Sequence, residues 1–354
     1  MVNKFSKHYS STSKGAYTVS KGITENEILE IKNDTYLDCI VIEENLKIQE
    51  YKYLEKHIFS QKGSVLLSIY RDFSETLSMK FLQFIPSVKE LRITNFSSFS
   101  DFEDVNIMSG IEDLAIERCD LYFFEILKII PTNITKLSIG SLSSKKLNID
   151  FISRFEKLES LYIEGHSKGI EAIGELTNLK ELTLRSVTHP SLNFLKNLNL
   201  LTSLDIKLGT IKDFSILTNM PNIKYLELWY IKGLSDISFI SEMTELQSLH
   251  LESLSNITAL PNFEKLLKFR RIRLMSMNNL NDFTSLKIAP KLQDFFFTII
   301  NKQIPEDLIP VLENSTLKNI YVYFPSDKKN RLFQDLVLKF GKETVGSWPD
   351  FEFE

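Results

Sequence analysis

One short stretch of the sequence has the residue types of a catalytic nucleophile. Gly165-His-Ser167-Lys-Gly169 matches the G-x-S-x-G pattern of a nucleophile elbow. That chemistry needs a buried strand before the serine, a helix after it, and acid and histidine partners downstream. Glycines are also the usual residues of a turn. We expect a turn here, and a serine hydrolase acting through Ser167 is the alternative.

The remaining candidates for metal, redox or cofactor chemistry have no recognisable spacing. The histidines are His8, His57, His166, His189 and His250. No two of them have the separation of a metal-ligand pair. Two cysteines, Cys39 and Cys119, are too few for a disulfide framework or a four-cysteine zinc site. With no P-loop and no G-x-G-x-x-G run, we expect no enzyme and no catalytic residue, metal or cofactor.

The composition is that of a soluble folded chain. Of the 354 residues, 43% are hydrophobic and 25% are charged, and the net charge is -4. This balance argues against nucleic acid as the partner, because phosphate binding needs a dense basic face. The first residues are basic and polar without the apolar run of a signal peptide, and no apolar stretch is long enough to span a bilayer. We expect a cytoplasmic protein with no membrane span.

The element that must position any functional side chain is an internal repeat. Ile223-Lys-Tyr-Leu226-Glu-Leu228 is followed 23 residues later by Leu246-Gln-Ser-Leu249-His-Leu251, with apolar residues at the first, fourth and sixth positions. Eleven copies begin at Val88, Ile111, Ile134, Leu158, Leu179, Leu201, Ile223, Leu246, Phe269, Leu292 and Leu317, at steps of 21 to 25 residues. A spacing of two between the inward residues is typical of a strand. One copy cannot bury its apolar face alone, so the copies should stack with parallel strands.

From residue 88 to 322 the chain resembles the leucine-rich-repeat family. The segments Ile211-Lys-Asp-Phe214 and Leu234-Ser-Asp-Ile237 are similar to the returns of internalin-like bacterial short repeats. The resemblance implies an α/β solenoid, a right-handed superhelix with a parallel β-sheet on the concave face and short 3₁₀ or irregular returns on the convex face. The family has Asn, or sometimes Cys, at the ninth position. Here that position reads Phe96, Cys119, Leu142, His166, Val187, Gly209, Ile231, Leu254, Met277 and Ile300, so the sequence leaves the turn geometry and the subclass open.

We predict four parts of the chain. Residues 1–23 are a flexible N-terminal arm, and 24–87 form an N-terminal cap and irregular repeats, with a helix capped by Thr24-Glu-Asn-Glu27 and a strand from Ser64 to Tyr70. Residues 88–324 are the regular repeats. Residues 325–354 form a capping helix that begins at Ser326-Asp327, followed by a tail. The alternative is that this helix docks on another protein.

The side chains that point outward from the strands are the candidate binding residues, because a leucine-rich solenoid usually binds there. The predicted partner-binding residues are Tyr225, Glu227, Trp229, His250, Arg271, Arg273, Phe296, Tyr321 and Tyr323. Exposed aromatic and arginine residues are enriched at binding hot spots. The simpler alternative is a solvated surface of mixed charge, which explains the Lys and Glu positions better than the aromatic ones.

These observations predict a non-enzymatic protein that binds another protein and is itself a monomer. It would be an intracellular adaptor, or an inhibitor or immunity-type protein that blocks a toxin or effector enzyme. The alternative is a secreted or surface-attached adhesin, as the resemblance to internalins suggests. The missing signal peptide favours the intracellular interpretation.

Overall fold

The structure, a computed structural model, describes residues 4–8, 15–71, 76–101, 105–119, 125–140, 147–298, 302–347 and 349–354. The chain divides into two compact units, unit 1 (Met1–Ala172) and unit 2 (Ile173–Glu354). Each unit is built from leucine-rich repeats, in which a short parallel strand alternates with a 3₁₀ or irregular return.

The sheet of unit 1 is parallel except at its first strand. Its strands are β1 (Phe5–His8), β2 (Ala16–Val19), β3 (Cys39–Ile42), β4 (Leu66–Tyr70), β6 (Glu90–Thr94), β8 (Asp113–Glu117), β9 (Lys136–Ile139) and β10 (Ser160–Glu164). They pair in this order, β1 with β2 antiparallel and the others parallel. A separate parallel pair joins β5 (Thr76–Ser78) to β7 (Ser98–Ser100).

The sheet of unit 2 is parallel throughout its described strands. They are β11 (Glu181–Arg185), β13 (Ser203–Lys207), β15 (Tyr225–Trp229), β16 (Ser248–Glu252), β17 (Arg271–Met275), β18 (Asp294–Thr298) and β19 (Asn319–Tyr323), which pair in this order. A second parallel pair joins β12 (Thr188–Ser191) to β14 (Thr210–Asp213).

Helical segments connect the strands. The α-helices are Glu25–Lys32, Ile48–Leu54, Thr284–Lys287, Ile309–Leu312 and Asp327–Lys339, and a π-helix spans Glu55–Phe59. The 3₁₀ helices are Met79–Phe84, Val105–Met108, Glu125–Lys128, Asp150–Arg154, Ile170–Glu175, Asn193–Asn197, Ser215–Asn219, Ser238–Glu242 and Pro305–Leu308. Apolar residues of these returns, such as Ile211, Leu217 and Ile240, are buried and complete the core.

The repeat register predicted from the sequence is confirmed in every copy from Val88 to Leu317. The pairing places equivalent positions side by side, for example Leu226 beside Leu249 and Leu249 beside Ile272. The fourth and sixth residues are at most 2% exposed, except Val322 in the last strand, which is half-buried. Because strand side chains alternate, the third, fifth and seventh positions share the opposite face of the sheet, which we call the outward face.

The turn that follows each strand is made by the backbone of the eighth residue. This residue has a left-handed conformation in eight copies, at Asn95, Arg118, Gly165, Ser186, Leu208, Tyr230, Ser253 and Ser276. In six of these copies, all except those of Arg118 and Gly165, a bond runs from its N–H to the carbonyl of the seventh residue in the next copy, as in Leu208 to Trp229 (2.8 Å) and Tyr230 to Glu252 (2.8 Å). These bonds continue the ladder past the strand and offset the strain of a positive φ in a side-chain-bearing residue.

The turn after each strand forms without the asparagine that the family pattern has at the ninth position. Every described residue there is buried, and Leu142 and Ile300 lie outside the described residues. Most of these residues add apolar volume to the core. In unit 1, Cys119 Sγ lies 3.3 Å from the Glu117 carbonyl oxygen, and His166 bridges two main-chain groups. The backbone ladder therefore replaces a side-chain ladder at the turn.

The predicted flexible arm is wrong for the described residues of 1–23. Strands β1 and β2 pair there, Tyr17 and Val19 are buried, and β2 continues the parallel sheet through β3. The Tyr17 hydroxyl also donates to Asp34 at 2.7 Å. Alternation of apolar residues over four positions is too short to reveal such a strand in a segment rich in Ser and Lys. Residues 1–3 and 9–14 lie outside the described part.

Both predicted helix starts have the expected caps. Thr24 and Glu27 form a complete capping box, and Ser326 accepts a hydrogen bond from the Lys329 N–H. In helix Asp327–Lys339, Phe333 and Val337 are buried, and the helix contacts the return Pro305–Leu308.

The edge of the last strand of unit 2 is covered by the main chain that follows this helix. Thr344 forms a parallel bridge with Ile320 in β19, and the Val345 N–H donates to the Ile320 carbonyl at 2.9 Å. An edge strand otherwise presents unpaired backbone groups.

Candidate functional site

The nine predicted partner-binding residues lie on the outward face of unit 2, on five consecutive strands. Five of them form one row across the sheet, because the register aligns Glu227, His250, Arg273, Phe296 and Tyr321 from β15 to β19. Tyr225 and Arg271 stand at the third position, and Trp229 and Tyr323 at the seventh. We call the five aligned side chains the fifth-position row.

The end of this row toward β19 is a stack of flat groups. The Arg273 guanidinium lies 4.9 Å from the centroid of the Phe296 ring, and the Phe296 and Tyr321 rings are 4.8 Å apart and almost parallel. Both rings are half-buried, and Tyr323 beside them is 56% exposed. The stack holds these side chains in one orientation, and side chains that are already ordered lose little conformational entropy in an interaction.

The end of the row toward β15 is a cluster of charged groups around Glu227. The Tyr225 hydroxyl donates to Glu227 at 2.9 Å, Lys207 Nζ lies 3.0 Å from the same carboxylate, and His250 Nδ1 lies 3.3 Å from it. Burial acts to raise the pKa of Glu227, but the hydrogen bond and charge of His250 and the charge of Lys207 hold this pKa well below its usual range. Glu227 is therefore an anion in the folded protein at neutral pH.

Asp205 stands at the fifth position of β13, beside Glu227, and its pKa is shifted in the opposite direction. Burial, together with the neighbouring Glu227 carboxylate, raises the pKa of Asp205 to about 7, although the Lys207 charge opposes this. Thr183 donates to Asp205 Oδ2 at 3.2 Å, and Asp205 Oδ1 has no hydrogen-bond partner among the described residues. The two neighbouring carboxyl groups therefore titrate at different pH, and Asp205 holds a proton more readily than Glu227 does.

One group in the described part of the chain has donor atoms close enough to hold a metal ion. Donor atoms of Glu227, His250 and Glu252 all lie within 4.8 Å of one another. His250 Nε2 is 3.6 Å from Glu252, and it is buried with no hydrogen-bond partner in the part of the chain that the structure describes. Lys207 already provides a cation 3.0 Å from Glu227, so the charge of this carboxylate is balanced within the chain. The cluster is explained as a network of ion pairs.

Arg271 and Trp229 are held by contacts within unit 2. Arg271 is buried, donates from Nε to Asp294 at 2.8 Å, and bonds to the carbonyl of Pro349 at 2.8 Å. Trp229 is half-buried under the Arg185 guanidinium, which lies 5.1 Å from its ring. Arg271 is therefore less available to a partner than its position in the sequence pattern indicates.

The residues that sequence reasoning did not select are of two kinds. Asp205, Lys207 and Arg185 stand at fifth and seventh positions, where the repeat register alone identifies them as outward. The second kind is the segment Pro349–Glu354, which lies over the starts of β15 to β17. Its alternation of Phe and Glu was a visible signal, but no local rule states which strand such a segment contacts.

Ser167 does not have the surroundings of a nucleophile elbow. The element after it is a six-residue 3₁₀ helix, Ile170–Glu175, and the ring of His166 is buried and bonded at both nitrogens, to the Leu147 N–H and the Gly140 carbonyl. Gly169 has φ +76°, and a Cβ there would lie 2.2 Å from the side-chain oxygen of Asn148. Packing and backbone conformation therefore explain the glycine without catalysis.

One groove of unit 2 lies away from the outward face. It has a volume of about 1090 Å³ and runs between the returns at 210–218 and 232–242. A smaller recess of about 400 Å³ lies on the outward face, between Glu181, Lys224, Tyr225 and Phe353. Within the described ranges, none of the helices combines the length and the apolar character that crossing a membrane requires.

Comparison with known proteins identifies the fold. No protein-family model and no curated protein matches the sequence. Among solved structures, an internalin from Listeria monocytogenes is similar over 78% of this chain and 80% of that chain, with 15% identity and a TM-score of 0.53. A chain of the mouse RP105/MD-1 complex is similar over 81% of this chain, with 16% identity and a TM-score of 0.53, and this chain covers 55% of it. These likenesses confirm the leucine-rich-repeat fold.

Proposed function

We propose that this leucine-rich-repeat chain is a non-enzymatic protein-binding module that holds its partner on the outward face of unit 2. The observation that carries the proposal is the fifth-position row, in which arginine and aromatic side chains are stacked at the surface. The apolar core lies on the other face of the strands, so it does not require Phe296, Tyr321 or Tyr323 to be aromatic. Rigid aromatic groups beside arginine are typical of interaction hot spots.

The two ends of the row would make different contacts with the partner. Phe296, Tyr321 and Tyr323 provide apolar area that becomes buried on binding. Arg273 is half-buried on the outward face, and its Nε has no hydrogen-bond acceptor among the described residues, so a carboxylate of the partner would pair with its guanidinium group. The charged cluster around Glu227 would fix the orientation of the partner on the sheet, since it repels groups of the partner that carry the same charge.

The module acts, in this proposal, as a cytoplasmic adaptor or as an inhibitor of the immunity type. Both cysteines, Cys39 and Cys119, are buried and unpaired, which suits a reducing compartment. A surface-attached adhesin is the second candidate, and the likeness in fold to an internalin favours it. Fractionation of the source cells with an antibody against the chain separates the two, because an adhesin would be found with the cell surface.

Affinity capture from the source lysate tests the binding face. The bait is the full chain, wild type beside Trp229→Ala/Arg273→Ala, and the control bait is Tyr36→Ala/Arg331→Ala, which removes an exposed aromatic residue and an arginine elsewhere. We expect a stoichiometric protein in the wild-type and control eluates that is absent with Trp229→Ala/Arg273→Ala. Equal capture by all three baits, with unchanged circular dichroism, would overturn the site.

A further inference from the structure

The last described segment of the chain, Pro349–Glu354, lies against the same sheet face as the candidate binding site. Gln247 holds it as a neighbouring strand would, because its side-chain amide donates to the main-chain oxygen of Glu354 at 3.0 Å and accepts from the Glu354 N–H at 2.9 Å. Lys224 also donates to the Glu354 main-chain oxygen. Lys224 and Gln247 stand at the second repeat position, just before β15 and β16. We call Pro349–Glu354 the strap.

Two arginines bind the strap through both its main chain and an aromatic ring. Arg270 donates to the carbonyl of Glu352 at 2.6 Å, and Arg271 donates to the carbonyl of Pro349 at 2.8 Å. Both guanidinium groups lie over Phe351, at 4.8 and 4.5 Å from its ring centroid. Contacts of this kind require an aromatic ring and an extended backbone, and they do not depend on the rest of the sequence.

The remaining contacts of the strap are aromatic and acidic. Phe353 meets the Tyr225 ring edge-on, with 6.3 Å between the centroids, and it lines the recess beside Lys224. The Glu354 carboxylate lies 3.4 Å from Arg270. Lys224, Arg270 and Arg271 therefore form a cationic line that matches a segment in which aromatic and acidic residues alternate.

The strap does not fully satisfy this line. Phe353 is 49% exposed, and Arg270 Nε is buried without a hydrogen-bond acceptor among the described residues. A ring that is half in water contributes only part of its possible burial free energy. A buried donor with no acceptor costs free energy that an additional carboxylate would recover. A second segment of the same chemistry could therefore bind this line better than the strap does.

We propose that the strap is an internal occupant of a peptide-binding line formed by Lys224, Gln247, Arg270 and Arg271, and that the partner displaces it with an extended segment of alternating aromatic and acidic residues. The inference rests on the proposed function, and it names the kind of segment that the partner presents. A tethered segment competes at a high effective concentration, so the strap sets a threshold that the partner must exceed.

The test uses a fluorescein-labelled peptide, Pro-Asp-Phe-Glu-Phe-Glu, blocked at both ends, with fluorescence anisotropy as the readout. It is added to the full wild-type chain and to the full chain with Phe351→Ala/Phe353→Ala, which weakens the strap. We expect the variant to bind the peptide at least about tenfold more tightly, because its own strap competes less. The control peptide Pro-Asp-Ala-Glu-Ala-Glu should bind neither protein.

Further variants identify the line and separate it from the fifth-position row. Adding Arg270→Ala to the strap variant should abolish peptide binding, while Trp229→Ala/Arg273→Ala should leave it intact. Circular dichroism and the thermal midpoint check that each variant is folded. Equal binding by wild type and strap variant, or binding by neither, overturns the inference. If the peptide does not bind while partner capture still depends on Trp229 and Arg273, only the strap proposal is overturned. If the peptide binds as expected while capture does not depend on Trp229 and Arg273, only the proposal for the fifth-position row is overturned.

Discussion

At the fifth repeat position the two units present different side chains on the same scaffold. Unit 1 has Arg92, Ala115, Ser138 and Tyr162, and unit 2 has Glu227, His250, Arg273, Phe296 and Tyr321 in its last five strands. The fourth and sixth positions are buried alike in both. Because burial fixes only the inward residues, the difference between the outward faces is not a requirement of the fold. It is therefore the place to look for function.

The third position shows the same contrast in charge. In unit 1, Glu90 stands beside Asp113, and burial together with the neighbouring carboxyl group raises the pKa of Glu90. In unit 2, Arg271 stands beside Asp294 and forms a buried ion pair with it, 2.8 Å from Nε to the carboxylate. Glu90 and Asp113 are therefore neighbours of like charge, although Lys136 stands on the other side of Asp113, whereas Arg271 and Asp294 are neighbours of opposite charge with the strap above them.

The largest expected effect is the loss of this ion pair. Arg271→Ala should lower the free energy of unfolding by about 3–5 kcal/mol, because it leaves the buried Asp294 carboxylate without its cation. Urea denaturation followed by circular dichroism measures it. Arg271→Ala/Asp294→Ala should recover part of the loss. Lys268→Ala, which breaks the exposed pair with Glu245, is the control and should cost less than about 1 kcal/mol. A cost for Arg271→Ala no larger than that of the control would contradict the contrast.

The second effect is a pH dependence that belongs to unit 2. The pKa of Asp205 is raised from 3.8 to about 7, so between these values the folded state binds a proton that the unfolded state has released. The free energy of unfolding should therefore fall as the pH rises through this window. Asp205→Asn mimics the protonated form, and at pH 8 it should be more stable than the wild type by about 2 kcal/mol.

Urea denaturation at pH 5 and pH 8 measures this slope. Asp213 is the matched control, because hydrogen bonds from Ser215 lower its pKa and its titration lies below the window. Asp213→Asn should keep the wild-type slope. A wild-type stability that does not decrease between pH 5 and pH 8 would refute the assignment to Asp205.

The third effect is small and has the opposite sign to that of Arg271→Ala. Glu90→Gln in unit 1 should raise the free energy of unfolding at pH 7 by about 0.3 kcal/mol, since it removes one of two neighbouring carboxylates at a partly exposed site. Chemical denaturation in parallel with Glu112→Gln, which loses an exposed pair with Lys89, provides the comparison. Destabilisation by Glu90→Gln would show that the third positions of the two units do not differ as described.

The smallest effect concerns partner capture by unit 1. Tyr162→Ala/Glu164→Ala removes the aromatic residue and the carboxylate that bond to each other at 3.0 Å on β10. Because the proposed binding face lies in unit 2, this variant should capture the partner as well as the wild type does. Quantitative mass spectrometry of the eluates measures it, and a loss comparable to that of Trp229→Ala/Arg273→Ala would extend the site into unit 1.

The sequence predicts the parts of this molecule that depend on periodic burial. Leu226, Leu228 and their equivalents follow a regular pattern because every copy except the last fully buries the same two positions. The capped helices were also predictable, since Thr24 and Ser326 act on residues of their own turn. These features depend on residues that are close in sequence, so the sequence pattern predicts them.

The remaining features depend on neighbours that are distant in sequence. Leu208 and Tyr230 are unfavourable residues for a positive φ, and they adopt it because the next copy accepts their N–H. The raised pKa of Asp205 arises from burial and from Glu227 on the adjoining strand. The position of the strap follows from contacts between residues about 80 to 130 apart, such as Arg270 with Glu352 and Lys224 with Glu354. No pattern within one repeat contains this information.

The bridge between Thr344 and Ile320 has a consequence for how this molecule behaves at high concentration. A stack of repeats has no intrinsic length, and a free edge on β19 would accept a strand from a second molecule, which would begin a growing filament. One bridge and one hydrogen bond, from Val345 to Ile320, occupy that edge. Thr344 and Val345 therefore protect this edge from pairing with a second molecule, and we expect a variant that loosens them to self-associate before it unfolds.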